Sequence, residues 1–146
     1  MFNIRKAQLE DCKKIHELRN DLSIRKTSFN PDEIPYESHV QWFSGSLLNP
    51  DRKLFVVEDN ELVGVVRFDL NSDHTEALVS VFVSPQALGR GIGSFAIVEG
   101  ERLCKHEVPS LKTLHARVMA DNIASLKLFE KCHYAKNVIE FSKEVL

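Results

Sequence analysis

The sequence has few of the residues that mark special classes of protein. Its 146 residues include 6 glycines, 5 prolines, 3 cysteines and 1 tryptophan. So little glycine and proline excludes collagen-like and low-complexity chains. No apolar run approaches the ~20 residues needed to span a bilayer, and the first residues lack the apolar core of a signal peptide. We therefore expect a cytoplasmic protein without a membrane segment.

Charge of one sign is also scarce. There are 19 lysines and arginines against 21 aspartates and glutamates, a formal net charge of −2. Proteins that bind nucleic acids through a broad surface usually carry a strong positive charge, so we expect no nucleic-acid partner. An anionic ligand would need a local binding site.

The cysteines point to neither a disulfide framework nor a metal centre. Cys12, Cys104 and Cys132 are odd in number, far apart and set in apolar stretches, which fits reduced thiols in or near a core. The sequence contains no C-x-x-C or H-x-x-x-H motif. We therefore predict no metal site.

The remaining composition, 43% hydrophobic and 27% charged, is typical of a globular chain of one domain, here residues 1–146. Periodicity predicts elements in the order β-α-α-β-β-β-α-β-α-β. The predicted elements include a loop at residues 23–35 with room for one helical turn, strands at residues 75–83 and 113–118, and a last strand or strand pair at residues 134–142. This order predicts an α/β fold (α+β in some schemes), a mixed central sheet with helices on both faces.

A glycine-rich segment follows a predicted strand and opens a predicted helix. It consists of Gly89, Arg90, Gly91, Ile92, Gly93 and Ser94. Glycines leave backbone N–H groups unobstructed, and the positive end of a helix dipole attracts anions. This pattern indicates a phosphate or pyrophosphate site.

The segment also fits two other interpretations. Residues 91–96 also fit G-x-G-x-x-A, the dinucleotide-binding pattern, but that site needs the first strand of the fold and an acidic residue about 20 positions later. Neither condition is met here. A glycine-rich turn that serves only packing is the simpler alternative.

A second motif favours the phosphate site. The segment from Asn122 to Tyr134, N-I-A-S-L-K-L-F-E-K-C-H-Y, resembles the N-x-A-S-x-x-L-[YF]-E-K-x-G-[FY] signature of the GNAT acetyltransferases. Residues 81–93 similarly resemble V-x-V-x-P-x-x-x-G-x-G-x-G of that superfamily. Together the two motifs cover much of the C-terminal half of the chain.

The resemblance implies a site for acetyl-CoA as co-substrate. The strand at Val81, Phe82 and Val83 would be splayed from its neighbour and bind the pantetheine arm, with the N–H of Val83 polarising the acetyl group. The amides of the glycine-rich segment would hold the pyrophosphate. Asn122 would contact the pantetheine or position its helix, and Phe129 would lie beside the cofactor.

Two departures from the family pattern bear on the acceptor. Phe129 stands where many relatives carry a proton-donating tyrosine, and Arg117 stands where protein-acetylating relatives often carry a glutamate base. An arginine stays protonated and cannot be a base. A lysine amine needs such a base, whereas a less basic amine on a sugar ring needs less help.

The N-terminal half resembles the N-acetyltransferases that modify UDP-linked 4-amino sugars in pseudaminic acid biosynthesis. This likeness lies in scattered residues, among them Arg25, His39, Trp42 and Arg67. Arg25 and Arg67 could hold a diphosphate, and Trp42 or Tyr36 could stack on uracil or sugar. The alternative is that Trp42 belongs to the core and the arginines are simply solvated.

The proton acceptor has two candidates. His39 has the right ordinary pKa for the task, about 6.5, although a half-exposed helix histidine without a role is the simpler interpretation. Glu76, like His74, precedes the strand of the thioester site and could join a water-mediated proton path.

We predict an N-acetyltransferase that transfers acetyl directly from acetyl-CoA to a small-molecule amine, with the amine of a nucleotide sugar as the favoured acceptor. No cysteine is placed to carry an acyl group. Two alternatives are an acetyltransferase acting on protein N-termini, as the ribosomal-protein acetylases do, and a CoA-binding module without catalysis. A C-terminal strand near residues 138–141 could pair between the protomers of a homodimer.

Overall fold

The computed structural model of the chain describes residues 1–145, which form one five-stranded sheet. The strands, β1 Asn3–Lys6, β2 Arg52–Asp59, β3 Glu61–Leu70, β4 Glu76–Val83 and β5 Thr113–Ala116, lie side by side in chain order. Neighbours from β1 to β4 are antiparallel, and β4 and β5 are parallel. The predicted mixed sheet is confirmed.

Helices cover both faces of the sheet, as predicted. They are α1 Cys12–Arg19, α2 Leu22–Lys26, α3 Tyr36–Leu48, α4 Ile92–Glu107 and α5 Ile123–Lys131. Because side chains alternate along a strand, Phe55 and Val57 of β2 pack with α4, while Leu54 and Val56 pack with α1 and α3. No helix within residues 1–145 is long and apolar enough to cross a membrane.

Part of the predicted loop at residues 23–35 is helical. Asp21 caps α2, because its carboxylate accepts a hydrogen bond from the backbone N–H of Ser23 at 3.0 Å. With only five residues, α2 is too short for the periodicity of apolar residues to reveal it. It folds the chain back between α1 and α3.

The predicted strand at residues 134–142 is wrong. Residues 135–145 adopt neither helix nor strand, and Val138, Ile139, Phe141 and Val145 are exposed. A strand forms only when another strand takes up its backbone hydrogen bonds, and no strand in the described chain pairs with this segment. The segment has the apolar residues of a strand but no neighbouring strand within residues 1–145 to pair with.

Candidate active site

The C-terminal end of β4 has an open edge. Its parallel pairing with β5 covers Glu76 to Val79 and stops where β5 ends, at Ala116. The predicted strand had continued to Val118, so β5 is shorter than its apolar pattern suggested. The last four residues of β4 therefore have a neighbour only on the β3 side.

The register of β4 shows where its free backbone groups point. The N–H of Ser84 donates to the carbonyl of Val63 at 2.7 Å. In an antiparallel pair, successive residues alternately face the partner strand and face away from it. Phe82 therefore bonds to β3, whereas Val81 and Val83 turn their N–H and C=O groups toward the open edge. These are the groups that the resemblance assigned to the pantetheine and the thioester.

The glycine-rich segment offers backbone rather than side chains. Gly89 and Gly91 have positive φ angles of 80° and 79°, and a Cβ at either position would meet no atom within 4 Å. The space above both residues is open, and α4 begins directly afterwards at Ile92. An anion can therefore approach the amides of this segment, so the segment fits a pyrophosphate group.

The other residues of this segment are engaged within the protein. The Ile92 side chain is fully buried, and a Cβ at Gly93 would lie 3.0 Å from Leu128 Cδ2, so these two positions serve the packing of α4. The Ser94 hydroxyl donates to the Gly91 carbonyl at 3.2 Å. Only their backbone N–H groups remain candidates for cofactor contacts.

Arg90 is directed toward the β2–β3 turn. Its guanidinium pairs with Asp59 and lies 5.4 Å from the centre of the Phe2 ring. This hydrogen bond with Arg90 is the main reason that the pKa of Asp59 is lowered. A phosphate group on the loop would compete with Asp59 for Arg90.

The second motif shapes α5. The Asn122 side chain caps this helix by accepting from the N–H of Ser125 at 3.2 Å. Phe129 is buried and packs edge-to-face against Tyr134, with ring centres 5.0 Å apart. Burial, and then the nearby Glu101, raise the pKa of Tyr134. The motif therefore holds α5 in place, and Phe129 can offer the cofactor no more than an edge.

A group of arginines occupies the α1–α3 face of the sheet. Arg52 and Arg67 each donate from Nε to a different oxygen of Asp69, at 2.6 and 3.0 Å. Both guanidinium groups lie against Trp42, with their carbons 5.3 and 5.5 Å from its ring centre. Arg19 is close enough to Arg67 to be affected by its charge. We call these five residues the arginine cluster.

The structure brings together only some of the predicted acceptor residues. Trp42 and Arg67 are in contact, and a third of Trp42 remains exposed, so it is not a core residue. Arg25 donates instead to the carbonyl of Pro31 at 3.0 Å and stabilises the α2–α3 loop. Tyr36 is exposed and packs edge-to-face on His16.

His39 is almost fully buried, contrary to the half-exposed position that was expected. Its Nε2 lies 3.0 Å from the carbonyl of Cys12 and donates a hydrogen bond to it. Burial lowers the pKa of His39, and the charges of His16 and Arg19 lower it further against the opposing effect of the Cys12 carbonyl. The ring is neutral at pH 7 with only Nδ1 able to accept a proton. This geometry favours a structural role.

Glu76 and Val83 lie at opposite ends of β4. Seven residues of extended strand separate them by about 23 Å. Glu76 accepts a hydrogen bond from His115 at 2.7 Å, and His74 bonds to Asp51 at 2.6 Å. A proton could reach Glu76 from the thioester site only through a long chain of waters, so the structure does not support its predicted role.

Sequence reasoning missed Arg52 and gave Arg19 no separate role. The alternation of β2 does signal that Arg52 shares a face with Leu54 and Val56. The same rule places Arg67 and Asp69 together on β3. Alternation cannot show that these faces coincide or that Trp42 of α3 lies against them. Within residues 1–145, no group of three His, Cys, Asp or Glu side chains could hold a metal ion.

Comparison with known proteins identifies the family of the chain. The model of the Acetyltransferase (GNAT) family matches residues 14–134. YwnH of Bacillus subtilis, a provisional phosphinothricin acetyltransferase, is 26% identical over 142 residues, which cover 92% of this chain and 85% of the relative. Acetyltransferase PseH of Campylobacter jejuni is 24% identical over 133 residues, 90% of this chain and 82% of the relative.

The fold agrees with that of a solved relative. The spermidine N-acetyltransferase of Vibrio cholerae, in complex with CoA and spermine, superposes with a TM-score of 0.83 at 21% identity, over 94% of this chain and 82% of that chain. The named substrates of these relatives differ, so the likeness reaches the reaction and not the acceptor. The chain belongs to the acetyltransferase (GNAT) family and is an acetyl-CoA-dependent N-acetyltransferase.

Proposed function

We propose that the protein acetylates the primary amine of a small anionic acceptor, a nucleotide-linked amino sugar. The observation that carries this proposal is the position of the arginine cluster beside the open edge of β4. Arg67 of β3 lies directly opposite Ser80 of β4, the residue before Val81. Both side chains lie on the α1–α3 face of the sheet. An acceptor held by the cluster would have its amine close to the thioester.

The donor would be held mainly by backbone groups. Amides of residues 89–94 would bind the pyrophosphate, and Val81 and Val83 would bind the pantetheine arm and the acetyl oxygen. Bound acetyl-CoA supplies a thioester carbonyl carbon that an amine can attack. The N–H of Val83 is held in place because the residues before and after it, Phe82 and Ser84, bond to β3. It can therefore stabilise negative charge on that oxygen without reorganising.

The absence of an obvious base fits an amine of low basicity. Arg117 is exposed, and Phe129 carries no exchangeable proton. A sugar amine near electron-withdrawing oxygens is partly unprotonated at neutral pH, so water can remove its proton once the amine is positioned. A polyamine amine, like that of lysine, is almost wholly protonated there and would need a base.

Charge also separates the candidate acceptors suggested by the relatives. The arginine cluster contains three guanidinium groups and one carboxylate, and would repel a polycation such as spermidine. Phosphinothricin, which carries two acidic groups, is compatible with the cluster and is the second candidate. The three guanidinium groups would likewise repel the positive charges of a basic protein N-terminus.

Thiol release from acetyl-CoA, measured against four acceptors, tests the proposal. The panel is a UDP-4-amino sugar, phosphinothricin, spermidine and an N-terminal peptide. The highest kcat/KM is expected for the UDP-amino sugar. Highest activity on spermidine would overturn the proposal, and activity on the peptide alone would replace it with protein acetylation. CoA binding without release of thiol from any acceptor would point to the binding module.

We also propose that the C-terminal segment, residues 135–145, pairs with a second copy of the chain. The segment exposes four large apolar side chains, and β5 lies at the edge of the sheet, where no strand of residues 1–145 pairs with its outer side. An exposed strand edge and a free apolar segment satisfy each other when two copies exchange segments. Light scattering should give twice the monomer mass, and Ile139→Glu should give a monomer. A monomeric wild type at micromolar concentration would refute the pairing.

A further inference from the structure

The arginine cluster has more hydrogen-bond donors than acceptors. Asp69 is its single carboxylate, and both oxygens are occupied, one by Arg52 and the other by Arg67. Arg52 is satisfied further, because its Nη1 donates to the Ser46 hydroxyl at 3.0 Å. Arg67 makes no other hydrogen bond within residues 1–145. The cluster therefore carries an excess of two positive charges.

Arg19 is the member with the least compensation. It is half-buried, and its one side-chain hydrogen bond within the described chain goes from Nη1 to the neutral hydroxyl of Ser28 at 3.0 Å. No carboxylate of the described residues lies within ion-pair distance of it. Burial, and then the like charge of Arg67, lower the pKa of its guanidinium. Burying a cation beside another cation is unfavourable unless an anion joins them.

We propose that Arg19 and Arg67 form an anion-binding subsite that receives an oxyanion group of the acceptor. Each guanidinium has donors left over, and the planar fork of N–H groups matches the oxygens of a phosphate or carboxylate. The sequence predicted Arg25 and Arg67 as the anion-binding pair. Arg25 instead donates to the Pro31 carbonyl, and Arg19 takes its place beside Arg67. Asp69 accepts a hydrogen bond from Arg67 and therefore competes with an incoming anion for it.

The position of the subsite relative to β4 determines which acceptors it can select. Arg67 extends from β3 on the side of Phe82, one strand away from the free amides of Val81 and Val83. An oxyanion bound there would set the distance between the acceptor's charged end and its amine. The subsite thus selects acceptors in which an amine and an acidic group are separated by a fixed span. This part of the inference rests on the proposed function.

Anion binding can be measured without any turnover. Inorganic pyrophosphate is titrated by calorimetry into protein saturated with CoA, so that the glycine-rich segment is blocked. Wild-type protein is compared with Arg19→Gln, Arg67→Gln and the control Arg102→Gln, which changes an exposed arginine on α4. We expect a loss of at least tenfold in affinity for the first two variants and none for the control.

The result that overturns the subsite is equal pyrophosphate binding by wild type and Arg19→Gln, with thermal unfolding showing that both are folded. Arg19→Lys provides a second check, because it keeps the charge but loses the fork, and an intermediate affinity is expected. Uniform loss of affinity from all variants, including Arg102→Gln, would mean a general charge effect and would also overturn the subsite.

Kinetics separate this inference from the proposed function. In the turnover assay, Arg19→Gln should raise the KM for the anionic acceptor about tenfold, while kcat and the KM for acetyl-CoA change little. If pyrophosphate binding depends on Arg19 but no UDP-amino sugar is acetylated, the subsite stands and the proposed acceptor fails. If the sugar is acetylated with the same KM by wild type and variant, the subsite fails alone. Phosphinothricin in a parallel assay distinguishes a carboxylate or phosphinate from a diphosphate.

Discussion

The donor side and the acceptor side of this active site are built from different kinds of groups. The proposed donor side uses backbone amides of one continuous stretch, from Val81 to Ser94. The proposed acceptor side uses side chains from four elements, with Arg19 on α1, Trp42 on α3, Arg52 on β2 and Arg67 on β3. In this proposal, backbone groups bind acetyl-CoA, which is the same whatever the acceptor is. Side chains can be exchanged one at a time, so they are suited to selecting an acceptor.

This difference predicts how each side responds to mutation. A donor site made of amides should respond to changes that remove an N–H group or alter a φ angle, and should tolerate most changes of side chain. An acceptor site made of charges should respond to the gain or loss of a charge and should depend on salt. Three experiments test this division, and a fourth tests whether His39 lies outside it, ordered from the largest expected effect to the smallest.

Val83→Pro should lower kcat about 10²-fold, the usual cost of losing one hydrogen-bond donor to a developing oxyanion. Proline has no N–H, and at this position the lost N–H faces the open edge rather than β3. The fold should therefore survive, as judged by circular dichroism. Phe82→Pro is the matched control, because it removes a bond of the β3–β4 ladder and should destabilise the protein. Equal kcat for Val83→Pro and wild type would show that the Val83 amide has no catalytic role.

Gly91→Ala should raise the KM for acetyl-CoA about fivefold, since a non-glycine residue with positive φ costs ~1 kcal/mol or somewhat more. Its φ is 79°, and the strain would turn the amides of the loop. Gly45→Ala is the control: this residue lies within α3, a Cβ there meets nothing within 4 Å, and no positive φ is required. That variant should keep its KM and gain stability. A similar KM in both variants would contradict the donor role of the loop.

Asp69→Asn should tighten pyrophosphate binding to the CoA-saturated protein about threefold, an effect of under ~1 kcal/mol for a pair that is a quarter exposed. It removes the one carboxylate that competes with an incoming anion for Arg67. The gain should shrink as salt is added, whereas the KM for acetyl-CoA should not change. Weaker pyrophosphate binding by this variant would mean that Asp69 mainly positions the arginines.

His39 should make stability depend on pH without affecting the chemistry. Its folded-state pKa lies below the ordinary value of about 6.5 because the ring is buried. The unfolded chain then binds more protons below that pH, so stability is complete above pH 6.5 and falls as the pH drops through the folded-state pKa. His39→Gln, whose amide can still donate to Cys12, should lose this dependence in urea unfolding at pH 7 and pH 5. A large fall in kcat for this variant would instead support its role as proton acceptor.

The sequence was informative where neighbouring residues act together. The informative patterns are local: the order of strand, loop and helix, the glycines at 89 and 91, and the motif from Asn122 to Tyr134. The structure of such a segment depends mainly on its own consecutive residues. The mixed sheet followed from the order of the predicted strands and helices. The failure also has a local explanation: the last predicted strand had the right residues but no partner strand.

By itself, the sequence determined the family, the sheet and the proposed acetyl-CoA side of the site, because these depend on backbone geometry that consecutive residues specify. Only the tertiary structure decided which charges meet. It joined Arg19, Arg52 and Arg67 across three elements, gave Arg25 to a loop, buried His39 and separated Glu76 from Val83. Distances between side chains far apart in the chain follow from packing of the whole sheet and its helices, and no local pattern contains them.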